Sequence, residues 1–134
     1  MSVVYDAGLL VAAERNDRTV WADHRTRLEA GVVPVTTAPV VAQVSRSPRQ
    51  AQLRRLLRGC EVVGFGPAEA HEVGALLARS GTPDAVDAHV VVTAARYGAA
   101  AVTSDVGDLR RLSDSLDAPI PVRGVHDTGN RRSS

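Results

Sequence analysis

Lysine is absent from this chain, and cysteine and aromatic residues are scarce. All 16 cationic side chains are arginine, which excludes mechanisms that need a catalytic lysine. The single cysteine, Cys60, excludes an internal disulfide and suits a reducing compartment. One tryptophan, one phenylalanine and two tyrosines are too few for an extended base-stacking surface.

Long apolar runs and a basic leader segment are also missing. No run approaches the roughly 20 apolar residues of a membrane span, and no basic segment precedes an apolar signal core at the N-terminus. The formal net charge is +1, so no global field draws the protein onto nucleic acid or membrane. These features predict a cytoplasmic protein that does not associate with membranes.

Strand-like and helix-like patterns alternate along the 134 residues, of which 44% are hydrophobic. This alternation is typical of an α/β domain with a parallel sheet, here in the order βααβααβααβαβ with an edge strand last. The third strand is predicted at residues 61–65. A helix is predicted to begin near Ser47, with Pro48 at its first helical position. One domain should span residues 1–126, followed by a flexible tail at 127–134.

Aspartates stand where elements of this pattern begin or end. Asp6 and Asp105 each end an apolar run, while Asp84 and Asp87 share the start of a helical pattern. Asp105 and Asp108 repeat the three-residue spacing. Because ligands of open α/β sheets bind beyond the carboxyl ends of the strands, these carboxylates are expected to converge there. Taken singly, Asp6 or Asp105 could be only a helix cap, and Asp84 could balance the helix dipole at an N-terminal turn.

Carboxylates brought this close repel one another and favour a bound cation. Mg²⁺ or Mn²⁺ suits a site built from oxygen ligands and keeps waters for the substrate side. Such an ion lowers the pKa of a bound water and stabilises a phosphorane-like oxyanion. The chemistry indicated is metal-assisted hydrolysis of a phosphodiester.

Three segments resemble the acidic motifs of PIN-domain proteins, in particular VapC-type toxins of bacterial toxin–antitoxin pairs. They are residues 4–10 (VYDAGLL), 81–88 (GTPDAVDA) and 102–109 (VTSDVGDL). The resemblance implies a PIN-like α/β/α sandwich with a central, mainly parallel sheet of about five strands. It also implies a Mg²⁺-dependent endoribonuclease that acts on RNA, forms a homodimer and is inhibited by a VapB-type antitoxin.

The resemblance also assigns roles to residues. Asp6 and Asp87 correspond to the main metal ligands, and Asp105 to a further acidic residue of the catalytic and metal site. Ser104 resembles the family's small hydroxyl residue near the site, although capping of the strand end explains it equally well. Asp84 and Asp108 are secondary candidates.

Gln43 departs from the family pattern, which usually has a glutamate in the short helix after the second strand. Its amide oxygen can accept a hydrogen bond but carries no charge. A catalytically impaired module that binds RNA or antitoxin is therefore an alternative function. Glu14, one helix earlier, is expected to be a solvated surface charge.

Two further side-chain sets have open roles. Arg46 and Arg49 could contact RNA phosphates, or could belong to a solvated helix face. Trp21 could be an exposed anchor for an antitoxin helix or a core residue.

Overall fold

The computed structural model describes residues 2–125, which form a five-stranded parallel sheet flanked by helices. The strands are β1 (Val3–Tyr5), β2 (Val35–Thr37), β3 (Glu61–Val63), β4 (Ala100–Thr103) and β5 (Val122–Gly124). The helices are α1 (Ala7–Glu14), α2 (Arg18–Glu29), α3 (Ala38–Val44), α4 (Ala51–Arg58), α5 (Pro67–Ser80), α6 (Ala85–Tyr97) and α7 (Gly107–Asp114). The predicted tail at 127–134 and the predicted domain end at 126 lie outside the described residues.

The strands lie in the order β3-β2-β1-β4-β5, and each neighbouring pair is parallel. Right-handed crossovers then place α1 to α4 on one face of the sheet and α5 to α7 on the other. The predicted element order, the α/β class and the edge position of the last strand are confirmed. No helix within residues 2–125 combines the length and apolar character needed to cross a bilayer.

The chain changes direction across the sheet between β1 and β4. The two strands pair directly, with Val3 opposite Ala100 and Tyr5 opposite Val102. The chain leaves β1 towards β2 but leaves β4 towards β5, so the two connections diverge at this point. Such a topological switch point opens a crevice at the carboxyl ends of the strands, where α/β proteins bind their ligands.

The core is built on these two central strands, whose residues are all buried. Continuous burial is expected of strands that are covered by helices on both faces. Leu9 and Leu10 of α1 pack on one face, and Leu109 and Leu112 of α7 belong to the same cluster. The rigid centre of the fold therefore lies directly beneath the switch point.

Two predicted boundaries are wrong. β3 ends at Val63 rather than at residue 65, and α4 begins at Ala51 rather than near Ser47. The Gln50 side chain explains the second difference, because its oxygen accepts hydrogen bonds from the backbone N–H groups of Arg46 (2.8 Å) and Ser47 (3.1 Å). Its nitrogen donates to the carbonyl oxygen of Val44 at 2.9 Å. These bonds stabilise a non-helical turn where a helix was predicted.

Glu14 is not the solvated surface charge that was predicted. Its Oε1 accepts a hydrogen bond of 2.9 Å from the backbone N–H of Leu53, in the first turn of α4. The residue at the N-cap position of α4, Gln50, makes no side-chain capping bond. Glu14 therefore caps a helix that lies 39 residues away along the chain, and its negative charge favours the positive end of that helix.

We expect Glu14→Ala to lower the free energy of unfolding by about 1 kcal/mol, the usual effect of losing a helix cap. Chemical denaturation followed by circular dichroism measures this change. Glu29→Ala is the control, because Glu29 is exposed at the end of α2. Equal stabilities of the two variants would contradict the capping role.

Candidate active site

Asp6 is the buried acid at the centre of the switch point. It follows β1 directly and caps α1, with Oδ1 accepting a hydrogen bond of 2.9 Å from the N–H of Leu9. Only 6% of the residue is exposed. Burial raises the pKa of the Asp6 carboxyl; its hydrogen bonds oppose this effect, and the charge of Asp105 adds to it. Asp6 is thus held in an environment that resists its negative charge.

Thr103, which the sequence analysis did not select, fixes the other oxygen of Asp6. Its hydroxyl donates to Asp6 Oδ2 at 2.6 Å and accepts from the backbone N–H of Asp105 at 3.0 Å. One hydroxyl therefore joins the ends of β1 and β4 on the two sides of the crevice. A polar residue that ends an otherwise apolar strand, two positions before a candidate acid, was the available signal.

Asp84 and Asp87 approach the same crevice from the start of α6. Asp84 caps the helix, with Oδ1 accepting a hydrogen bond of 2.9 Å from the N–H of Asp87. Asp87 is partly buried, and its pKa is raised to about 7. Burial is the largest cause, followed by the charges of Asp84, Asp6 and Asp108. The interaction with Asp6 brings together residues 81 positions apart in the chain.

Asp105 and Asp108 lie on the exposed side of the site. Asp105 Oδ1 accepts a hydrogen bond of 3.2 Å from the N–H of Gly107, and Asp108 is in the first turn of α7. Each contributes negative charge to a different buried partner, Asp105 to Asp6 and Asp108 to Asp87. Charge interactions thus link these five aspartates in pairs, with Asp6 and Asp87 the more buried; that they form one metal site stays a prediction.

Ser104 lies against Gly8, next to Asp6. A Cβ atom built on Gly8 would be 2.8 Å from Ser104 Oγ, closer than real Cβ contacts, and 3.6 Å from Asp6 Oδ1. Only glycine leaves this space free while the Ser104 hydroxyl stays in place. Ser104 itself is exposed, so its hydroxyl is open to a ligand at the edge of the site.

Gln43 lies at one side of the site, in the wall of a cavity of about 620 Å³ between α1, α3 and α4. Ala7 and Gly8, which follow Asp6 directly, line the same cavity, as does Glu14. Gln43 is exposed and therefore adjustable. Gln43 lacks the negative charge of the family's usual glutamate. The carboxylate of Glu14 is not free to take over that charge, because it already accepts a hydrogen bond in the N-terminal turn of α4.

The two candidate RNA-binding arginines have different surroundings. Arg46 donates from one guanidinium nitrogen to the carbonyl oxygens of Ala42 (3.1 Å) and Ser45 (2.9 Å), which secures the end of α3. Arg49 is exposed in the turn before α4. Arg46 lines the cavity beside Gln43. A role in RNA binding stays a prediction for both.

Trp21 is a packed residue rather than an exposed anchor. It is partly buried against the core, and its indole N–H donates to the carbonyl oxygen of Ala13 at 3.0 Å. The guanidinium of Arg55 lies 4.1 Å from the centre of the ring. This stacking covers the exposed face of the indole, as expected of a cation–π contact.

The donor chemistry of the site fits a hard divalent cation. Asp6 and Asp87 offer carboxylate oxygens, the ligands that Mg²⁺ prefers, and both resist ionisation because of burial and neighbouring negative charge. A cation would stabilise the ionised form of both groups. Within residues 2–125, no three histidine, cysteine, aspartate or glutamate side chains already form a group that could hold a metal ion.

The raised pKa of Asp87 predicts an effect on stability. With chelator present, protonation of Asp87 stabilises the folded wild-type protein. This contribution is complete below 3.8, the ordinary pKa of the group, and is lost as the pH rises through its folded-state pKa of about 7. Asp87→Asn removes the charge, so its free energy of unfolding should exceed that of wild type at pH 8, by about 1–2 kcal/mol after discounting for solvent screening.

Urea denaturation at pH 5 and pH 8 tests this expectation. The gain in Asp87→Asn should shrink at the lower pH, while Asp117→Asn, at an exposed loop position, should show no such trend. A gain of the same size at both pH values would contradict the assigned pKa.

Comparisons with known proteins add to this geometry. The family model of the PIN domain matches residues 3–114. A comparison with curated proteins finds no match. Among solved structures, the fold is similar to VapBC2 from Rickettsia felis, solved bound to a DNA fragment from their promoter, with a TM-score of 0.70 and 16% identity over 92% of this chain and 98% of that chain.

Two further solved structures share the fold. VapBC-1 from nontypeable Haemophilus influenzae has a TM-score of 0.68 and 16% identity, covering 93% of this chain and 98% of the other. PAE2754 from Pyrobaculum aerophilum has a TM-score of 0.62 and 19% identity, covering 99% and 98%. At these identities the similarity establishes the fold and its extent across nearly the whole chain.

Proposed function

Since this chain belongs to the PIN domain family, as its three acidic segments predicted, we propose that it is a metal-dependent endoribonuclease that hydrolyses RNA phosphodiesters. PIN domains are generally nucleases, which supports the reaction class. The observation that carries the proposal is the electrostatic interaction of Asp6 with Asp87 at the switch point, where both carboxyls have a raised pKa.

In this proposal Asp6 and Asp87 hold Mg²⁺ or Mn²⁺, and Asp105 completes the acidic side of the site. The bound ion would supply a water of lowered pKa and positive charge for the phosphate oxyanion. Asp84 and Asp108 strengthen the negative potential that attracts the cation. The Ser104 hydroxyl, beside Gly8, can orient a water or a phosphate oxygen at the exposed edge.

The remaining residues act on the geometry of these carboxylates. The Thr103 hydroxyl and the Leu9 N–H each bind one oxygen of Asp6, so the plane of that carboxylate is fixed before any ligand arrives. Asp84 caps α6 through the N–H of Asp87 and so fixes the backbone that carries this second acid. Such preorganisation reduces the reorganisation that the reaction requires.

We propose a VapB-type antitoxin as the partner and a type II toxin as the biological role. Solved structures with this fold include complexes named VapBC, one of them bound to promoter DNA. The cavity of about 620 Å³ beside Gln43 has an apolar floor that includes Leu10 and Leu53, and Arg15 and Arg46 add positive charge. An amphipathic protein segment suits this lining and would reach the residues next to Asp6. A homodimer and a cytoplasmic location stay predictions.

The nuclease proposal predicts RNA cleavage that requires Mg²⁺ or Mn²⁺ and stops in chelator. Asp6→Asn and Asp87→Asn should each lower the cleavage rate by about 100-fold or more, because each removes a charged ligand of the catalytic ion. Gel analysis of a labelled single-stranded RNA measures the rate, with Asp117→Asn as the control. Cleavage by both site variants at the wild-type rate would end the assignment of these residues.

Gln43 favours a second candidate function, a PIN domain that binds RNA or antitoxin without turnover. An amide in place of the family's usual glutamate removes one negative charge from the ion's surroundings. Gln43 stands in the cavity wall with Gly8, so this position adjoins the acidic residues. The binding function predicts RNA or antitoxin binding without cleavage at any concentration of Mg²⁺ or Mn²⁺.

Gln43→Glu separates the two candidates. If the amide has impaired catalysis, the variant should cleave RNA at least about tenfold faster and should reach half-maximal activity at a lower Mg²⁺ concentration. The rate is measured across a Mg²⁺ titration, with Ala118→Glu as a control that adds a carboxylate at an exposed loop position. A slower Gln43→Glu enzyme would instead show that the amide is the working group.

A further inference from the structure

A second cavity lies on the opposite face of the sheet from the cavity beside Gln43. Its volume is about 460 Å³, and it is an open depression lined by the loop that follows β3, the start of α5 and one side of α6. The side chains that define it are Phe65, Glu69, His89, Thr93, Arg96 and Tyr97. None of them belongs to the acidic cluster, by which we mean the five aspartates at positions 6, 84, 87, 105 and 108. Helix α6, however, carries both His89 and, two residues earlier, Asp87.

His89 lines this cavity and has unused hydrogen-bonding capacity. It is 1% exposed, and neither of its ring nitrogens has a hydrogen-bond partner within the described part of the chain. A neutral imidazole carries one donor and one acceptor. Because buried polar groups are normally hydrogen bonded, an imidazole left in this condition points to a ligand with both kinds of group on one edge.

Phe65 gives the same cavity a flat apolar surface. Its ring centre lies 4.5 Å from that of His89, with the planes at 48°, and the residue is 45% exposed. The inner face of the phenyl ring is therefore supported by the imidazole while the outer face is open. A supported, half-exposed ring is suited to stacking with another planar group.

Fixed charges of both signs stand beside this ring. Glu69 Oε1 accepts a hydrogen bond of 3.2 Å from the N–H of Gly66, and Arg96 lies 3.7 Å from the other oxygen of Glu69. Arg96 also pairs with Glu72. The cavity thus combines a carboxylate acceptor, a planar cation and a stacking surface within a space that fits one small ring system.

We propose that this cavity binds one nucleobase of the single-stranded RNA substrate, an inference that rests on the proposed nuclease function. A nucleobase has a π-face for Phe65 and donors and acceptors on one edge for His89 and Glu69. A purely apolar protein segment would leave both imidazole nitrogens without a hydrogen-bond partner.

The position of the cavity connects it to the acidic cluster. Strand β3 is two positions from β1 in the sheet, which corresponds to about 10 Å between the strand axes. Both strands end at the same edge because the sheet is parallel. A base bound near Phe65 therefore belongs to a nucleotide close to the phosphate that is cut, and it would give the enzyme a nucleotide preference beside the cleavage site.

Phe65→Leu and Phe65→Trp test the proposal. Binding of a fluorescein-labelled single-stranded RNA is measured by anisotropy in EDTA, which prevents cleavage. Phe65→Leu should weaken binding by about tenfold, the range expected for loss of one base–aromatic stack. Phe65→Trp should bind like wild type, and its added indole should be quenched by RNA beyond any change from Trp21. Val33→Ala, at an exposed apolar position before β2, is the control and should bind normally.

Each other result has a defined meaning. Wild-type affinity in Phe65→Leu, or an unquenched indole in Phe65→Trp, overturns the base site even if RNA is cleaved. Loss of a dimer in Phe65→Leu, detected by light scattering, overturns it in favour of an interface between two copies. Quenching by RNA without any metal-dependent cleavage supports the base site and contradicts the nuclease. Circular dichroism verifies that Phe65→Leu is folded.

Discussion

The burial of one carboxylate at the ends of two adjacent parallel strands organises this protein. Asp6 has to stand where β1 and β4 diverge, and its two oxygens are bound from two different elements, by Leu9 in α1 and by Thr103 in β4. These bonds compensate only part of the desolvation, since the pKa of Asp6 remains raised. The switch point therefore holds a group that gains from a cation, and the rest of the site is arranged around this need.

The start of α6 adds a second carboxyl whose ionised form is unfavourable, that of Asp87. An aspartate that caps this helix is ordinary helix chemistry, yet the cap also fixes the backbone of Asp87, whose carboxyl is repelled by the charge of Asp6. The resulting repulsion lowers the stability of the folded state, as is common where residues serve binding or catalysis. Within residues 84–87, the cap made by Asp84 therefore stabilises the helix, while the repulsion between Asp87 and Asp6 destabilises the folded state.

The sequence predicted the parts of the molecule that depend on local pattern. Element order follows from alternating periodicity, and the expectation that Asp6, Asp87 and Asp105 converge follows from the geometry of parallel strands. Glu14 could not be assigned, because its partner at Leu53 is 39 residues away and depends on how α1 meets α4. Pro48 is a residue type common at helix starts and led to a wrong boundary, because the side chain of Gln50 stabilises a turn there.

Two further features, the bond from Thr103 to Asp6 and the cavity at Phe65, depend on tertiary packing and could not be predicted from the sequence pattern. Thr103 looked like an ordinary strand residue until β1 was placed beside β4, where its hydroxyl meets Asp6. The cavity at Phe65 depends on the approach of the β3–α5 loop to α6, which no spacing in the chain encodes. The sequence pattern pointed to the acidic residues, but not to the groups that position them or to the surfaces beside them.

The pairing of β1 with β4 also sets the order in which the molecule can be completed during synthesis. The first strand leaves the ribosome early, but its neighbour across Val3 and Tyr5 is formed by residues near position 100. Because chains are synthesised from the N-terminus, most of the protein must be made before Thr103 and Asp87 can contact or interact with Asp6. A partly synthesised chain consequently lacks the contact between Thr103 and Asp6 and the charge interaction between Asp87 and Asp6.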